Sequence, residues 1–456
     1  MALSRLFIAN RGEIALRVVR AAQALDLETV IGVSDADRGS AAARLADRAL
    51  VLGPGPAARS YLDAMLVVQA AKASGCDALH PGYGFLSERA ELARLCEEHG
   101  IIFVGPKPDM IEALGDKLRA REMAAAAGVP LVPGSGEIAS AADARRIADQ
   151  LGYPVLLKAA AGGGGRGMVI VRGPDEIEAG FHRASAEAQA AFNDGTLFME
   201  RFVPEARHVE VQLMGDGQGE VVHFGERDCS VQRRYQKVIE EAPCVAMPAA
   251  LRTQLHGAAV SLAQSVSYRN AGTAEFLYDV ARQEVYFIEV NARIQVEHPV
   301  TEMVTGRDLV QEQLRIAGGQ GLSLRQADVV LTGHAMECRI NAEDSTRDFV
   351  PVPGTVTRWR PPEGEGIRLD SHISEGAVIP PFYDSMIGKL IVHAATRDAA
   401  IDKLAAALDE FVVEGVPTTI PLHRKILRDP RFRANQIHTR WLEQDMFAKT
   451  PIAGET

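Results

Sequence analysis

Residues 156–171, LLKAAAGGGGRGMVIV, constrain the fold more than any other stretch of the chain. Gly162, Gly163, Gly164 and Gly165 follow one another, and Gly167 follows Arg166, between two apolar runs of β-like composition. Glycine loses more backbone freedom on folding than any other residue, so four in a row are costly in an ordinary turn. Read literally, Gly162, Gly164 and Gly167 satisfy the dinucleotide fingerprint G-x-G-x-x-G, but that loop must open a helix. Here Met168, Val169, Ile170 and Val171 continue as a strand. A Walker loop needs Lys and then Ser or Thr after its last glycine, and Arg166-Gly167-Met168 does not supply them. The remaining solution is strand, glycine tip, strand: a hairpin whose backbone N–H groups approach a phosphate closely and whose tip closes over it to exclude water. Lys158 lies four residues before the first glycine, on the same strand, where its ammonium suits a phosphate.

A second stretch, VYFIEVNARIQVEHP, alternates polar and apolar residues. Glu289, Asn291, Arg293, Gln295 and Glu297 take every second position, with Ile288, Val290, Ile294 and Val296 between them. In an extended chain successive side chains point to opposite faces, so the spacing predicts one strand with five polar groups on one side and a core-facing apolar side. The upstream run AGTAEFLYD carries a lone acid, Glu275, and a hairpin centred near Arg282 places it opposite Glu289. Two carboxylates and an amide oxygen suit a hard divalent cation that leaves positions for phosphate oxygens. Arg293 offers a forked donor to a planar anion such as carbonate, and Glu297 an acceptor that serves as a base. Metal, anion clamp and base in line beneath a glycine lid describe phosphoryl transfer to a small oxyanion. A solvated amphipathic strand is the simpler alternative, and the mixture of acids, amides and arginine argues against it.

The chain of 456 residues is too long for one ordinary core and implies two or three domains. A net charge of −11 disfavours non-specific nucleic-acid binding. The longest apolar runs fall well short of a membrane span, and MALSRLFIANRGE is too soon charged for a signal peptide. Cys76, Cys96, Cys229, Cys244 and Cys338 lack C-x-x-C spacing, which suggests buried thiols in a reducing cytoplasm. Strand, turn, helix (13–24) and strand at the start, followed by CDALHPGY and IIFVGP, predict a doubly wound parallel domain over 1–115. A helix from Lys117 ends at Gly128 and Pro130; a second, 141–151, ends at Gly152. Strand-rich sequence and a further α/β stretch run to about 330, and a mixed α+β segment follows.

These blocks resemble the biotin carboxylase family of ATP-grasp enzymes. IANRGEIALRV, HPGYGFLSE, GDK, KAAAGGGGRGM, ERDCSVQRRYQK, EEAP, FIEVNARIQVEHPVTE, ECRINAED and YDSMIGKL fall in the family's order between residues 8 and 390, and NQIH extends the similarity to 438. The resemblance implies an N-terminal Rossmann-like domain (1–115), an ATP-grasp domain (116–330, with a mobile lid over about 131–204), a C-terminal domain (331–446) and a short tail (447–456). It implies ATP, Mg²⁺ or Mn²⁺, and bicarbonate, activated as carboxyphosphate to carboxylate biotin held on a carrier protein. Lys117 and Lys158 would contact the ATP phosphates under the Gly162–Gly167 lid, with Glu200, Arg201 and Val203 at the adenine hinge and His208 and Gln232 near the ribose. Glu275, Glu289 and Asn291 would hold metal. Lys237, Arg293, Gln295 and the backbone of Val296 would hold bicarbonate, and Glu297 would deprotonate it. Arg339 would stabilise the biotin enolate, and Tyr83 would wall the biotin pocket.

Some positions depart from the family pattern. Tyr235 stands where histidine is usual in QRRxQK and cannot be cationic. Ala161 replaces a common glycine at the lid's root, and Thr419 a frequent asparagine. Ala24 and Glu365 occupy slots through which some bacterial members pair, so an expected homodimer has an altered contact. No Met-Lys dipeptide is present, so the chain is expected to carry no biotin of its own and to meet separate carrier and carboxyltransferase subunits in the cytoplasm. Acetyl-CoA carboxylase is the expected parent assembly, with other acyl-CoA or pyruvate carboxylases as alternatives. A carbamoyl-phosphate-forming ATP-grasp ligase and a catalytically silent nucleotide-binding scaffold are the rivals.

Overall fold

The computed structural model describes residues 3–161 and 167–447. The N-terminal part is a five-stranded parallel sheet of β1 (Arg5–Ile8), β2 (Glu28–Ser34), β3 (Arg48–Gly53), β4 (Ala78–His80) and β5 (Ile102–Phe103), in the order β3-β2-β1-β4-β5. This is the doubly wound arrangement the alternating sequence predicts. The helix Gly12–Gln23 follows β1 and buries nearly all of its length, as a helix lying on a sheet must. The turns after β1 and β4 lie side by side, because Asn10 donates its side-chain amide to the carbonyls of Pro81 (2.7 Å) and Tyr83 (2.8 Å). Glu13, Tyr83 and Glu88 therefore gather at the carboxyl edge of the parallel sheet, where α/β folds place ligands.

A small antiparallel sheet follows, formed by β6 (Gly134–Ile138), β7 (Val155–Ala159), β8 (Met168–Val171) and β9 (Leu197–Arg201) in the order β6-β9-β7-β8. The expected glycine hairpin is here: β7 pairs with β8 from Val155↔Val171 to Lys158↔Met168. Gly167 has φ +67°, and a Cβ on it would lie 2.9 Å from that of Ala159, so the downstream root of the hairpin requires glycine. The helix Ala141–Leu151 packs on this sheet, capped by Ser140 and stopped at Gly152 (φ +80°).

The largest sheet contains β10 (Ala206–Asp216), β11 (Val221–Arg233), β12 (Gln236–Ala242), β13 (Arg269–Asp279), β14 (Glu284–Asn291) and β15 (His334–Asn341), followed by strands Met386–Ala394 and Ile367–Ser371. The order β14-β13-β10-β11-β12-β15 continues directly into those last two strands, so residues from both sides of position 330 share one antiparallel sheet. Val209, Val211, Ala274, Phe276 and Phe287 cover one face with apolar surface. The other face presents polar side chains to a cleft of about 1460 Å³ that also takes in Tyr83, Glu88 and Arg339. All five cysteines are buried and free. No helix among the described residues is long and apolar enough to cross a membrane.

Candidate active site

Three adjacent strands line up three carboxylates. Glu210 on β10 is paired with Glu275 on β13, which is paired with Glu289 on β14. Cross-strand partners point to the same face, so the row faces the cleft together. The hairpin predicted around Arg282 is thus present with the expected Glu275–Glu289 register. Glu210 is an addition to the sequence-predicted residues, although HVEVQ at 208–212 carries the same polar alternation that reveals Glu289.

The single long strand expected to end at Glu297 is not formed: β14 ends at Asn291. The Ala292 N–H points to Glu88 Oε1 (3.3 Å) rather than to a ladder carbonyl, and a helix begins at His298 with Pro299 in its first turn. A bulge between Glu275 and Phe276 also moves Ile288, expected on the apolar face, into the cleft wall. Arg293, Gln295 and Glu297 still reach the cleft, but from a loop that folds back over the sheet. Gln295 ties that loop down, donating to Glu275 Oε1 (2.8 Å) and accepting from Arg227 (2.8 Å).

Lys237 is the hub. Its Nζ donates to Glu210 Oε2 at 2.5 Å, to Glu275 Oε1 at 3.1 Å and to Glu297. Burial opposes its charge, and the three carboxylates overcome this and push its pKa well up. Burial likewise favours the neutral form of Glu297, but Lys237 first, and then Arg339 and Arg227, hold its carboxyl below the ordinary value. Glu297 is therefore ionised at neutral pH, with Lys237 on one oxygen and Arg339 (3.0 Å) on the other. His208 lies 3.3 Å from Glu275 and 3.5 Å from Glu210. Burial alone would lower its pKa, but Glu275 and the contact with Glu210 raise it to about 9.

Arg293 is fully engaged: Nε donates to Glu88 Oε2 (2.9 Å), NH2 to Asn291 Oδ1 (2.9 Å) and NH1 to the Ile294 carbonyl (3.2 Å). Glu88 sits at the end of the block HPGYGFLSE, and no local spacing ties it to Arg293. Lys158 bonds Glu200 Oε2 (3.0 Å), and Arg121 holds the other oxygen of that carboxylate. Lys117 opens the helix Lys117–Ala126 at the cleft wall and makes no ion pair among the described residues. Arg201 donates to the Tyr286 hydroxyl (2.6 Å), and Val203 and Gln232 line the same cleft. Tyr83 donates to Glu13, and Lys389 bonds both Glu13 (3.1 Å) and the Val296 carbonyl (2.7 Å). Tyr235 is 54% exposed at the cleft, in a two-residue turn where Arg234 and Tyr235 both have positive φ (48° and 65°). Thr419, read in the sequence only as a departure, lies under Arg339 and donates to its carbonyl (3.0 Å). Gly163, Gly164 and Gly165 lie outside the described residues.

Glu275 and Glu289 suit a divalent cation. Burial and then the Glu275 charge push the Glu289 carboxyl up, and Lys117 and Lys158 oppose this. A hard cation between the two carboxylates relieves that repulsion. Asn291 is less ready: its oxygen serves Arg293, and its buried Nδ2 has no partner. Among the described residues, two groups bring three possible ligand atoms within 4.8 Å of one another: His208, Glu210 and Glu275, and Glu210, Cys229 and Glu297.

Three family models match the chain: biotin carboxylase, N-terminal domain (2–111), carbamoyl-phosphate synthase L chain, ATP binding domain (116–325), and biotin carboxylase C-terminal domain (337–444). Biotin carboxylase 1 of Bacillus subtilis is 48% identical over 97% of this chain and 98% of its own length. One of the subunits of the Methanothermobacter thermautotrophicus pyruvate carboxylase is 46% identical, covering 97% and 90%. Among solved structures, the biotin carboxylase of Campylobacter jejuni superposes with a TM-score of 0.94 at 43% identity, covering 97% of this chain and 99% of that one. The biotin carboxylase domain dimer of Hydrogenobacter thermophilus 2-oxoglutarate carboxylase, solved with MgADP, ADP and bicarbonate, gives 0.93 at 45% identity, covering 97% and 98%.

Proposed function

The chain belongs to the biotin carboxylase family of ATP-dependent carboxylases, and from that premise we propose that it uses MgATP and bicarbonate to carboxylate biotin on a separate carrier protein, as the biotin carboxylase subunit of an acetyl-CoA carboxylase. One observation carries the reading: an ionised Glu297 is fixed between Lys237 and Arg339 at the floor of the cleft. Bicarbonate is a poor nucleophile until its remaining proton leaves. A bicarbonate beside Lys237 and Gln295 would give that proton to a Glu297 oxygen, and the ammonium of Lys237 would hold the resulting dianion. Arg293 would complete the clamp by yielding one N–H from Glu88 or Asn291. Attack on the terminal phosphate of ATP would form carboxyphosphate, which decomposes if water enters, so the lid residues following Lys158 would exclude it.

Glu275 and Glu289 would hold the metal, with Asn291 joining once its oxygen is released; when bound, the ion would neutralise phosphate charge and align it for transfer. Lys117 and Lys158 would meet the nucleotide phosphates, Glu200, Arg201 and Val203 the adenine, and His208 and Gln232 the ribose side. Arg339 would hold the enolate of biotin at the ureido oxygen, with Tyr83 walling the pocket. The five buried free thiols support a cytoplasmic setting. The similarity to one part of a pyruvate carboxylase and to a 2-oxoglutarate carboxylase domain, at comparable identity, supports a second reading in which the final acceptor is a 2-oxo acid. Bicarbonate-dependent ATP hydrolysis, measured with and without free biotin, tests the core proposal. Stimulation by biotin with carboxybiotin formed is expected; hydrolysis indifferent to biotin would favour carbamoyl-phosphate-type chemistry, and MgATP binding without turnover would favour a scaffold.

A further inference from the structure

Arg339 is held by two carboxylates, and the chemistry above uses only one of them. Its Nε donates to Glu240 Oε1 at 2.6 Å and its NH2 to Glu297 Oε2 at 3.0 Å, while NH1 makes no protein hydrogen bond among the described residues. Glu240 is completely buried on β12, directly opposite Glu337 on β15, itself completely buried and two residues from Arg339 on the same face. Oε2 of Glu240 and both oxygens of Glu337 are buried without a hydrogen-bond partner. A half-satisfied buried carboxylate is a poor device for stability, because its desolvation is repaid only through its single partner. A buried carboxylate whose side chain bonds only Arg339 among the described residues points to a role for that arginine's geometry.

We propose that Glu240 is a positioning residue for the biotin half-reaction, fixing with Glu297 the plane of the Arg339 guanidinium so that NH1 faces the biotin pocket. The proposal rests on the reading of Arg339 as the enolate-stabilising group. The charged groups around Glu240 fit it. Lys237 lies on its own strand, Arg339 and Glu337 on β15, Glu297 at the start of the helix His298–Thr305, and Lys389 opposite Arg339 on the strand Met386–Ala394. Burial raises Glu240, Arg339 pulls it back and Glu297 raises it again, to about 7. Burial pushes the Glu337 carboxyl well up, which favours its neutral form and eases the repulsion between it and Glu240. As the pH rises through about 7 Glu240 therefore ionises, and its hydrogen bond with Arg339 becomes a full ion pair.

Steady-state kinetics of Glu240→Gln, Glu240→Ala and Arg339→Ala, with free biotin as acceptor, test this. Glu240→Ala is expected to lower kcat/KM for biotin by about 10- to 100-fold, as a small misplacement of a catalytic group does, and Glu240→Gln, which keeps an acceptor, by less. The loss in biotin-independent, bicarbonate-dependent ATP hydrolysis should be smaller by about tenfold. The biotin-dependent rate of the parent should rise through about 7, and Glu240→Gln should lose that step. Biotin kinetics unchanged in both Glu240 variants, or carboxylation and ATP hydrolysis falling together, would overturn the role of Glu240. If Arg339→Ala is crippled in carboxylation while both Glu240 variants are not, only the role of Glu240 falls. If Arg339→Ala spares the biotin step, the reading of Arg339 falls with it. Should Glu240→Ala fail to fold, the isosteric Glu240→Gln carries the test.

Discussion

At the scale of single residues, the site is an exercise in charge sharing. Lys237 and Arg339 between them hold both oxygens of Glu297, so its carboxylate is charged, buried and fixed in direction. Replacing it by glutamine keeps the shape and removes the proton acceptor. Glu297→Gln is expected to lower bicarbonate-dependent ATP hydrolysis by about 10²- to 10⁴-fold, the usual contribution of a general base, while MgATP affinity stays close to the parent value. A nucleotide titration run beside the turnover assay checks this, and a large weakening of MgATP binding would mean that Glu297 serves the nucleotide instead. The chemistry-bearing residues at 289–297 were legible because they share one short sequence. Their partners were not: Glu88 lies 205 positions from Arg293, and Glu240 lies 99 from Arg339. Nothing in local spacing announces an ion pair closed by the meeting of two distant elements.

At the scale of elements, legibility followed hydrogen-bond economy. The β13–β14 hairpin and the glycine hairpin of β7 and β8 could be read because each satisfies its backbone between neighbours in sequence. The end of β14 could not, since it depends on an N–H claimed by Glu88 from another part of the chain. Two elements carry predictions. Gly167 combines a positive φ with a close approach to Ala159, so Gly167→Ala should destabilise the hairpin by about 1–2 kcal/mol. Urea unfolding should register the loss; an unchanged midpoint would mean the root adjusts freely. Thr419 clasps the end of β15, accepting from the Asn341 N–H (3.0 Å) and donating to the Arg339 carbonyl (3.0 Å), which His423 also bonds (2.7 Å). Thr419→Val keeps the volume and leaves the Asn341 N–H without its acceptor, at an expected cost of about 1–3 kcal/mol. The same variant should raise KM for biotin more than KM for ATP, because the peptide that moves carries Arg339. Equal changes in both would place the effect elsewhere.

At the scale of the whole molecule, the eight-stranded sheet makes one cooperative body of segments that the sequence divides. The seam is β12 against β15, with Glu241↔Met336 and Ala242↔Ala335 among its pairs. Glu241 fastens it from beneath, accepting from His334 (2.8 Å) on β15 and from Arg397 (2.7 Å and 3.1 Å) at the start of the helix Arg397–Glu410. Burial would raise the Glu241 carboxyl, but the His334 hydrogen bond and then Arg397 depress it from the ordinary 4.5 to about 2. A carboxyl held lower in the folded state than in the unfolded one stabilises the fold above its unfolded value and loses that contribution as the pH falls towards its folded value. The seam should therefore weaken on acidification between about 4.5 and about 2. Glu241→Gln removes the titrating group while leaving Arg397 buried with a neutral partner. It should cost about 3–5 kcal/mol at neutral pH, the loss expected when one partner of a buried ion pair is removed. Urea midpoints measured across that acid window should then fall less steeply for the variant than for the parent. Because the seam joins strands that bear Lys237 and Arg339, the variant's unfolding should also remain a single transition, with the two halves of the sheet lost together. Parallel pH slopes for the two proteins would show that something other than Glu241 fastens the seam, and a first transition that releases the C-terminal strands alone would show that the sheet does not unfold as one body.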